Sequence, residues 1–127
     1  MERTLAIIKP DAVAAGHTGE ILATIEAAGF RIAALKRVWL SKSQAETFYA
    51  VHCGKPFLGE LIAFMTEAPC VPMVLERDNA IATWREVLLP IREQFGTNAT
   101  RNAVHGSDAP ETAATEIGFL FAGSEVV

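Results

Sequence analysis

Apolar and polar positions along this 127-residue chain follow two different periods. Helical segments repeat their apolar residues every three or four positions, whereas buried strands are short, nearly continuous apolar runs. Four such runs predict strands: Thr4–Ile8, Arg31–Leu40, Cys70–Leu75 and Asn102–His105. The segments between and after them carry the helical period, so the predicted order of elements is β-α-β-α-α-β-α-β-α.

Local signals set the bounds of the first helices. The apolar period predicts a helix over Thr18–Ala28, and Gly29 follows where a left-handed residue ends a helix. Ser43 and Glu46 have the spacing of a capping box and predict a short helix that runs through Ala50. The tripeptide Lys55-Pro56-Phe57 predicts the start of the next helix, because proline suits the first helical position.

Two further helices are expected in the second half of the chain. Asp78 is placed to cap a helix that ends near Pro90, and the ten residues after Pro90 are expected to be mainly irregular. Asp108 and Glu111 have a second capping-box spacing, which predicts the start of the last helix. Its buried stripe is expected at every third or fourth position from there.

The element order contains the β-α-β-β-α-β pattern with extra helices inserted. This predicts an α+β fold, a ferredoxin-like sandwich in which helices cover a four-stranded antiparallel sheet. The length fits one domain, 1–127, with a core of its own. A fold of this kind hosts many unrelated activities and therefore does not give the function.

Composition narrows the class of protein. Half of the residues are apolar, the net charge is −4 and the pI is about 5.3. The acidic balance argues against a general nucleic-acid binder, which needs a basic face. No signal-like segment or membrane span is recognisable, and Cys53 and Cys70 are expected to be free thiols. These features predict a cytoplasmic protein that binds no membrane.

His105 is the residue that points most directly to chemistry. It stands between a predicted strand and the Gly106-Ser107-Asp108 turn that opens the last helix. A helix N-terminus attracts phosphate, glycine allows close approach, and neutral imidazole is a nucleophile near pH 7. Glu116 is a candidate carboxylate to orient the ring. Considered alone, however, a histidine at a strand end is more often structural, and His17 and His52 are expected to be surface or structural residues.

Four separated motifs in the same order resemble the nucleoside diphosphate kinase family. The segment Asn102-Ala103-Val104-His105-Gly106-Ser107-Asp108 resembles its active-site signature, and Thr4–Val13 resembles its first strand and loop. Phe48-Tyr49 together with Lys55-Pro56-Phe57 resembles its nucleotide-binding helical hairpin. Neither a Walker A motif nor G-x-G-x-x-G is present, so a nucleotide would be held by side chains from several elements.

The resemblance implies a ping-pong reaction, in which a nucleoside triphosphate phosphorylates His105 and the phosphohistidine then phosphorylates a nucleoside diphosphate. It places Lys9, Tyr49, Arg85 and Arg92 around the phosphates. Mg²⁺ would be the cofactor, bound through the phosphates without a direct protein ligand. Asn102 and Lys9 would contact the ribose, Phe57 would lie against the base with a residue near Ala99, and Ser107 would bond Glu116, which orients His105. The family also implies a homo-oligomer, a tetramer or hexamer built from dimers.

The chain departs from the family pattern in two places. The family usually has a longer stretch between the two arginines, with a phosphate-contacting threonine and a loop that helps to build the oligomer. Here only residues 86–91 intervene, and the threonine has no counterpart. Losing one neutral phosphate contact is expected to weaken nucleotide binding by about 1 kcal/mol. Lys55 also stands where the family usually has arginine.

Two other functions compete with this interpretation. A ferredoxin-like module could bind nucleotide for regulation or interaction without turnover, and a sequence-specific nucleic-acid binder is a third class. The first is disfavoured because His105, Lys9, Arg92, Ser107 and Glu116 occur together. The second is disfavoured because the chain is acidic and has no basic stripe.

Overall fold

The computed structural model describes all residues, 1–127, and its centre is one antiparallel sheet. The strands are β1 (Glu2–Ile8), β2 (Arg31–Leu35), β3 (Val71–Arg77) and β4 (Val104–Gly106). Their order across the sheet is β2-β3-β1-β4, with every neighbouring pair antiparallel. The central strands are therefore β3 and β1, whereas β4 is an edge strand that pairs only with β1.

Six helices cover the two faces of the sheet. They are α1 (Pro10–Ala14), α2 (Thr18–Ala27), α3 (Lys42–Phe48), α4 (Leu58–Met65), α5 (Ala80–Phe95) and α6 (Pro110–Leu120). Short 3-10 helices follow α3 at Ala50–His52 and α6 at Gly123–Glu125. None of the helices combines the length and apolar character needed to cross a membrane.

Alternation along β1 divides the core into two clusters. Ala6 and Ile8 face one side, where α2 and α5 contribute residues such as Ile25 and Trp84. Leu5 and Ile7 face the other side, which the segments around α3, α4 and α6 cover. Because both faces are apolar, every residue of β1 from Thr4 to Ile8 is buried. The predicted fold, an α+β ferredoxin-like sandwich with a four-stranded antiparallel sheet, is confirmed.

The strand predicted over Arg31–Leu40 is shorter than expected. The register between β2 and β3 shifts between Ile32 and Ala34, and the regular strand stops at Leu35. Beyond it, the Lys36 N–H still donates to the Pro72 carbonyl at 3.2 Å, and Val38 exchanges backbone hydrogen bonds of 3.0 and 2.8 Å with Cys70. Apolar content alone could not locate this interruption, because it arises from pairing with another strand.

Both predicted capping boxes are wrong. The cap of α3 is Ser41, whose hydroxyl accepts from the Gln44 N–H at 3.1 Å, while the Gln44 side chain accepts from the Ser41 N–H at 2.9 Å. Ala109 occupies the N-cap position of α6, and no side chain caps that helix. Helix α4 also begins at Leu58, after a turn that contains the Pro56 expected at its start.

Helix α5 differs most from the prediction, because it continues through Pro90 to Phe95. The proline ring is on the exposed face, while Leu88 and Ile91 on the opposite face remain in the core. Burial on that face outweighs one lost backbone hydrogen bond.

Asp78 does not cap α5. Asn79 takes the N-cap position with φ +54°, and its side chain makes no capping bond. The Ile81 N–H instead donates to the Glu2 carboxylate, Oε1, at 2.9 Å. This carboxylate satisfies a free N–H at the positive end of the helix, and it comes from the other end of the sequence.

Candidate active site

The candidate nucleophile His105 occupies the middle of β4. Its neighbours Val104 and Gly106 are buried toward α5, and alternation places the imidazole on the opposite face. There the ring meets Phe48 of α3 edge-on, with ring centroids 5.5 Å apart. The imidazole is therefore partly enclosed, with its side chain 17% exposed.

A strained turn precedes this strand. Ala103 has φ +72°, and the Val104 N–H donates to the Asn102 carbonyl at 2.9 Å, which makes a γ-turn of the rare positive-φ type. Two contacts with residues that follow β1 hold it: the Lys9 N–H donates to the Ala103 carbonyl at 2.8 Å, and the Ala103 N–H donates to Asp11 Oδ2 at 3.1 Å. Such strain persists only where surrounding contacts over-determine the backbone.

Two polar side chains lie in series behind the imidazole. His105 Nε2 lies 3.1 Å from Glu116 Oε1, and the Ser107 hydroxyl donates to the same oxygen at 2.6 Å. Ser107 is fully buried, and its oxygen also accepts from the Leu5 N–H at 3.2 Å. The contacts expected among these three side chains are present, and the backbone of β1 anchors them.

Lys9 follows β1 directly and is buried, 6% exposed. Its ammonium donates to Asn102 Oδ1 at 2.7 Å, and the Asn102 amide donates in turn to the Ala99 carbonyl at 3.0 Å. Burial, with a smaller contribution from Arg92 and a partly opposing one from Asp11, lowers the pKa of Lys9 to about 8. Lys9 thus changes charge near physiological pH.

Arg85 and Arg92 stand seven residues apart on α5 and therefore on one side of it. Both reach the edge of β4: Arg92 donates to the Val104 carbonyl through two nitrogens at 3.1 and 3.3 Å, and Arg85 donates to the Gly106 carbonyl at 3.2 Å. Burial, and secondarily Arg85, lowers the pKa of Arg92. The uninterrupted α5 thus brings both arginines beside the candidate nucleophile.

A cavity of about 350 Å³ opens between the α3–α4 hairpin and the end of β4. Five of the predicted site residues line it: Lys9, Tyr49, Phe57, His105 and Glu116. The Tyr49 hydroxyl is buried in its wall without a hydrogen-bond partner. Burial, with smaller contributions from Cys70 and Glu116, raises the pKa of this phenol, so it stays protonated and can donate.

The other predicted residues lie around this cavity. Arg92 and Asn102 line an adjoining open cleft, which shares Ala99 with the cavity. Arg85 lines neither space and is mostly exposed, and Ser107 is enclosed behind Glu116.

Residues that sequence reasoning did not select also line the cavity, among them Phe48, Val51, His52 and Thr100. His52, expected to be surface or structural, stacks on Tyr49 at 6.1 Å and meets Phe57 edge-on at 5.3 Å. Its Nδ1 is buried without a partner. The signal was its spacing, because a residue three positions after Tyr49 in a helical segment lies on the same side.

Comparison with known proteins identifies the family. The family model described as nucleoside diphosphate kinase matches residues 2–126. A curated nucleoside diphosphate kinase from Syntrophotalea carbinolica is 55% identical over 137 aligned positions, covering all of both chains. Another, from Brucella canis, is 50% identical and covers the whole chain and 98% of the relative.

Solved structures agree with the sequence relatives. The Aquifex aeolicus nucleoside diphosphate kinase superposes with a TM-score of 0.97 at 44% identity, covering 99% of each chain. A halophilic enzyme from Halobacterium salinarum, solved in complex with CDP, has a TM-score of 0.95 at 31% identity and covers 99% of this chain and 91% of its own. The chain therefore belongs to the nucleoside diphosphate kinase family and transfers the terminal phosphoryl group of a nucleoside triphosphate to a nucleoside diphosphate.

Proposed function

We propose that Nδ1 of His105 carries the phosphoryl group between the two nucleotides. The observation that supports this most strongly is the 3.1 Å contact between His105 Nε2 and Glu116 Oε1. A carboxylate only accepts, so Nε2 carries the proton and the lone pair is left on Nδ1. In the first step, Nδ1 forms a bond to the γ-phosphorus as the bond to the β,γ-bridging oxygen breaks; in the second, a diphosphate oxygen takes the phosphoryl group and frees the imidazole.

Glu116 and Ser107 act on the ring rather than on the nucleotide. Phosphorylation of Nδ1 leaves the protonated ring more positive, and the carboxylate beside Nε2 stabilises that charge. The Ser107 hydroxyl, 2.6 Å from the same oxygen, holds the carboxylate in place. The ring therefore keeps one orientation through both half-reactions.

The phosphates would be held by donors from three elements. Lys9 stands at the end of β1, the arginines Arg85 and Arg92 lie on α5, and the Tyr49 hydroxyl is free in the cavity wall. Phosphoryl transfer depends mainly on positioning and on charge at the transferring group, which such donors supply. An arginine that already grips a carbonyl presents its remaining N–H groups in a fixed direction.

The base end of the cavity is apolar and open. Phe57 is 42% exposed at its mouth, opposite the Ala99-Thr100 segment. Stacking on an aromatic ring without reading base edges accommodates every base, which suits an enzyme that accepts different nucleotides. Asn102 and Lys9, joined at 2.7 Å, would meet the ribose between base and phosphates.

The divalent cation of the reaction is proposed to be Mg²⁺. The chain contains no group of three or more His, Cys, Asp or Glu side chains that could hold a metal ion. The one cavity carboxylate, Glu116, is engaged by Ser107 and His105. This donor set fits a cation that arrives on the nucleotide phosphates and keeps water ligands. When bound, Mg²⁺ would neutralise phosphate charge.

Incubation with Mg²⁺ and γ-labelled ATP tests the phosphohistidine. The expected product is an acid-labile, base-stable label on the protein that added GDP or CDP removes. His105→Ala should abolish labelling without unfolding the chain, as circular dichroism would check. His52→Ala is a control for loss of a cavity imidazole and should retain the label. An unlabelled wild type would favour a nucleotide-binding module without turnover, and a labelled His105→Ala would move the nucleophile elsewhere.

Assembly and location extend beyond the single chain. A homo-oligomer built from dimers, as tetramer or hexamer, and a cytoplasmic location stay predictions from the family resemblance. Sedimentation equilibrium over a range of protein concentrations would measure the first. Fractionation of the source cells with detection of the native protein would measure the second.

A further inference from the structure

Helix α5 grips the edge of β4 through donors to three successive carbonyls. Arg92 donates to Val104 and Arg85 to Gly106, as described above. Between them, the indole N–H of Trp84 donates to the carbonyl of His105 itself at 3.0 Å. Of the three donors, Arg85 is exposed and Arg92 is half-buried, whereas Trp84 is completely buried.

The Trp84 ring also packs directly against the backbone of Gly106, the residue after His105. A Cβ added at Gly106 would lie 2.6 Å from Trp84 Cδ1 and 2.7 Å from its Nε1, closer than real Cβ contacts allow. Phe30 meets the ring edge-on, with centroids 6.1 Å apart. The indole is thus confined on several sides, and the peptide of His105 rests on it by contact as well as by a hydrogen bond.

We propose that Trp84 is a positioning residue for phosphoryl transfer, which fixes the His105 backbone so that Nδ1 is aligned with the phosphorus. The proposal rests on the phosphohistidine function above. Trp84 lies in the core on the α5 side of β4 and does not line the cavity, so it acts only through His105. In-line transfer is sensitive to displacements of the reacting atoms of about 1 Å. Loss of the hydrogen bond from Trp84 to the His105 carbonyl should therefore slow the chemical step and leave nucleotide binding unchanged.

The chain contains a matched control for this test. Trp39 is the only other tryptophan, and its indole N–H also donates to a backbone carbonyl, that of Thr66, at 2.8 Å. Trp39 is 65% exposed and outside the cavity. Trp84→Phe and Trp39→Phe therefore remove the same group from two carbonyls, only one of which belongs to the nucleophile.

In quenched-flow labelling, Trp84→Phe should slow phosphorylation of the protein roughly 10- to 100-fold, with the nucleotide KM within about twofold of wild type. Trp39→Phe should match wild type. The ¹⁵N shifts of the His105 ring should change only in Trp84→Phe. If that variant does not fold, benzothienylalanine in place of tryptophan in the Trp39→Phe background removes the N–H of Trp84 alone while keeping its shape.

The outcomes separate the two proposals. If Trp84→Phe or its benzothienyl counterpart is labelled at the same rate as wild type and Trp39→Phe, the role of Trp84 is overturned. The phosphohistidine proposal is unaffected by that result. A raised KM with an unchanged labelling rate overturns it as well. Absence of label from wild type removes the phosphohistidine, and the role of Trp84 falls with it.

Discussion

Two sides of β4 contribute differently to the site. On the α6 side, His105, Glu116 and Ser107 are already joined by hydrogen bonds of 3.1 and 2.6 Å and anchored to β1. On the α5 side, Arg85 and Arg92 each donate to a backbone carbonyl of β4 and remain partly exposed to solvent. The proposed nucleophile is therefore organised before a nucleotide arrives, whereas the arginines proposed to hold the phosphates bond to backbone carbonyls until then.

This contrast separates rate from affinity. Groups whose geometry exists in advance lower the barrier of the transfer step, because no reorganisation accompanies the reaction. An arginine that exchanges a backbone carbonyl for a phosphate contributes mainly to nucleotide binding. Only the difference in free energy between those two hydrogen bonds appears as affinity. Substitutions of Glu116 and Ser107 on the α6 side should then change kcat, and substitutions of the two arginines on the α5 side should change KM.

The largest effect is expected from Glu116→Gln. The amide keeps the size of the side chain but loses the charge that stabilises the phosphorylated ring, so kcat should fall on the order of 100-fold. Steady-state kinetics with ATP and a diphosphate acceptor would measure it, and KM should stay within about twofold. Glu111→Gln, at an exposed position in the first turn of the same helix, is the control. A change confined to KM would contradict the division between the two sides.

The next largest effect is expected in the pH dependence of the nucleotide KM, which should report the charge of Lys9. The pKa of Lys9 is about 8, so its charge is present below that pH and lost as pH rises through it. Nucleotide binding favours the charged form, so KM should rise above pH 8 and reach roughly tenfold by pH 9. The pH profile of KM measures this, and Lys9→Arg should flatten it because guanidinium stays charged. A flat wild-type profile would mean that Lys9 does not contact the nucleotide.

A smaller change in KM is expected from the arginines. Arg92→Lys should raise KM about fivefold, because an ammonium cannot grip a carbonyl and a phosphate in the same fixed fork. Arg85→Lys should raise it about twofold, since Arg85 lines neither the cavity nor its adjoining cleft. Isothermal titration with a non-hydrolysable triphosphate would rank the two. Arg37→Lys, at an exposed site, is the control, and equal effects at Arg85 and Arg92 would contradict the ranking.

The sheet and most helices could be predicted because burial leaves a periodic trace in the sequence. The helix caps were harder to predict. Ser41 and Ser43 are both plausible N-caps for α3, and only the backbone geometry selects Ser41. The path of α5 depends on how Leu88 and Ile91 pack, which outweighs the local signal of Pro90. Such choices are made by tertiary contacts.

The candidate site divides in the same way. His105 and Lys9 could be selected through the family motifs, and their placement at strand ends has a physical reason. Trp84 could not be selected, because its contact with His105 joins segments distant in sequence, whereas His52 was not selected although its spacing from Tyr49 placed it on the same side. The family resemblance likewise gave no indication that both arginines would bond to β4.

The turn at Ala103 determines which wall of the cavity is able to move. Its N–H and C=O are bonded to Asp11 and to the Lys9 backbone, and the Lys9 ammonium bonds Asn102. Hydrogen bonds therefore join the start of α1 and the segment that enters β4 into one wall of the cavity. When product leaves and a new nucleotide enters, we expect the mouth to widen on the opposite wall, the α3–α4 hairpin that carries Phe57. We therefore expect that hairpin to set the speed of nucleotide exchange, although it lies far along the chain from His105, the proposed carrier of the phosphoryl group.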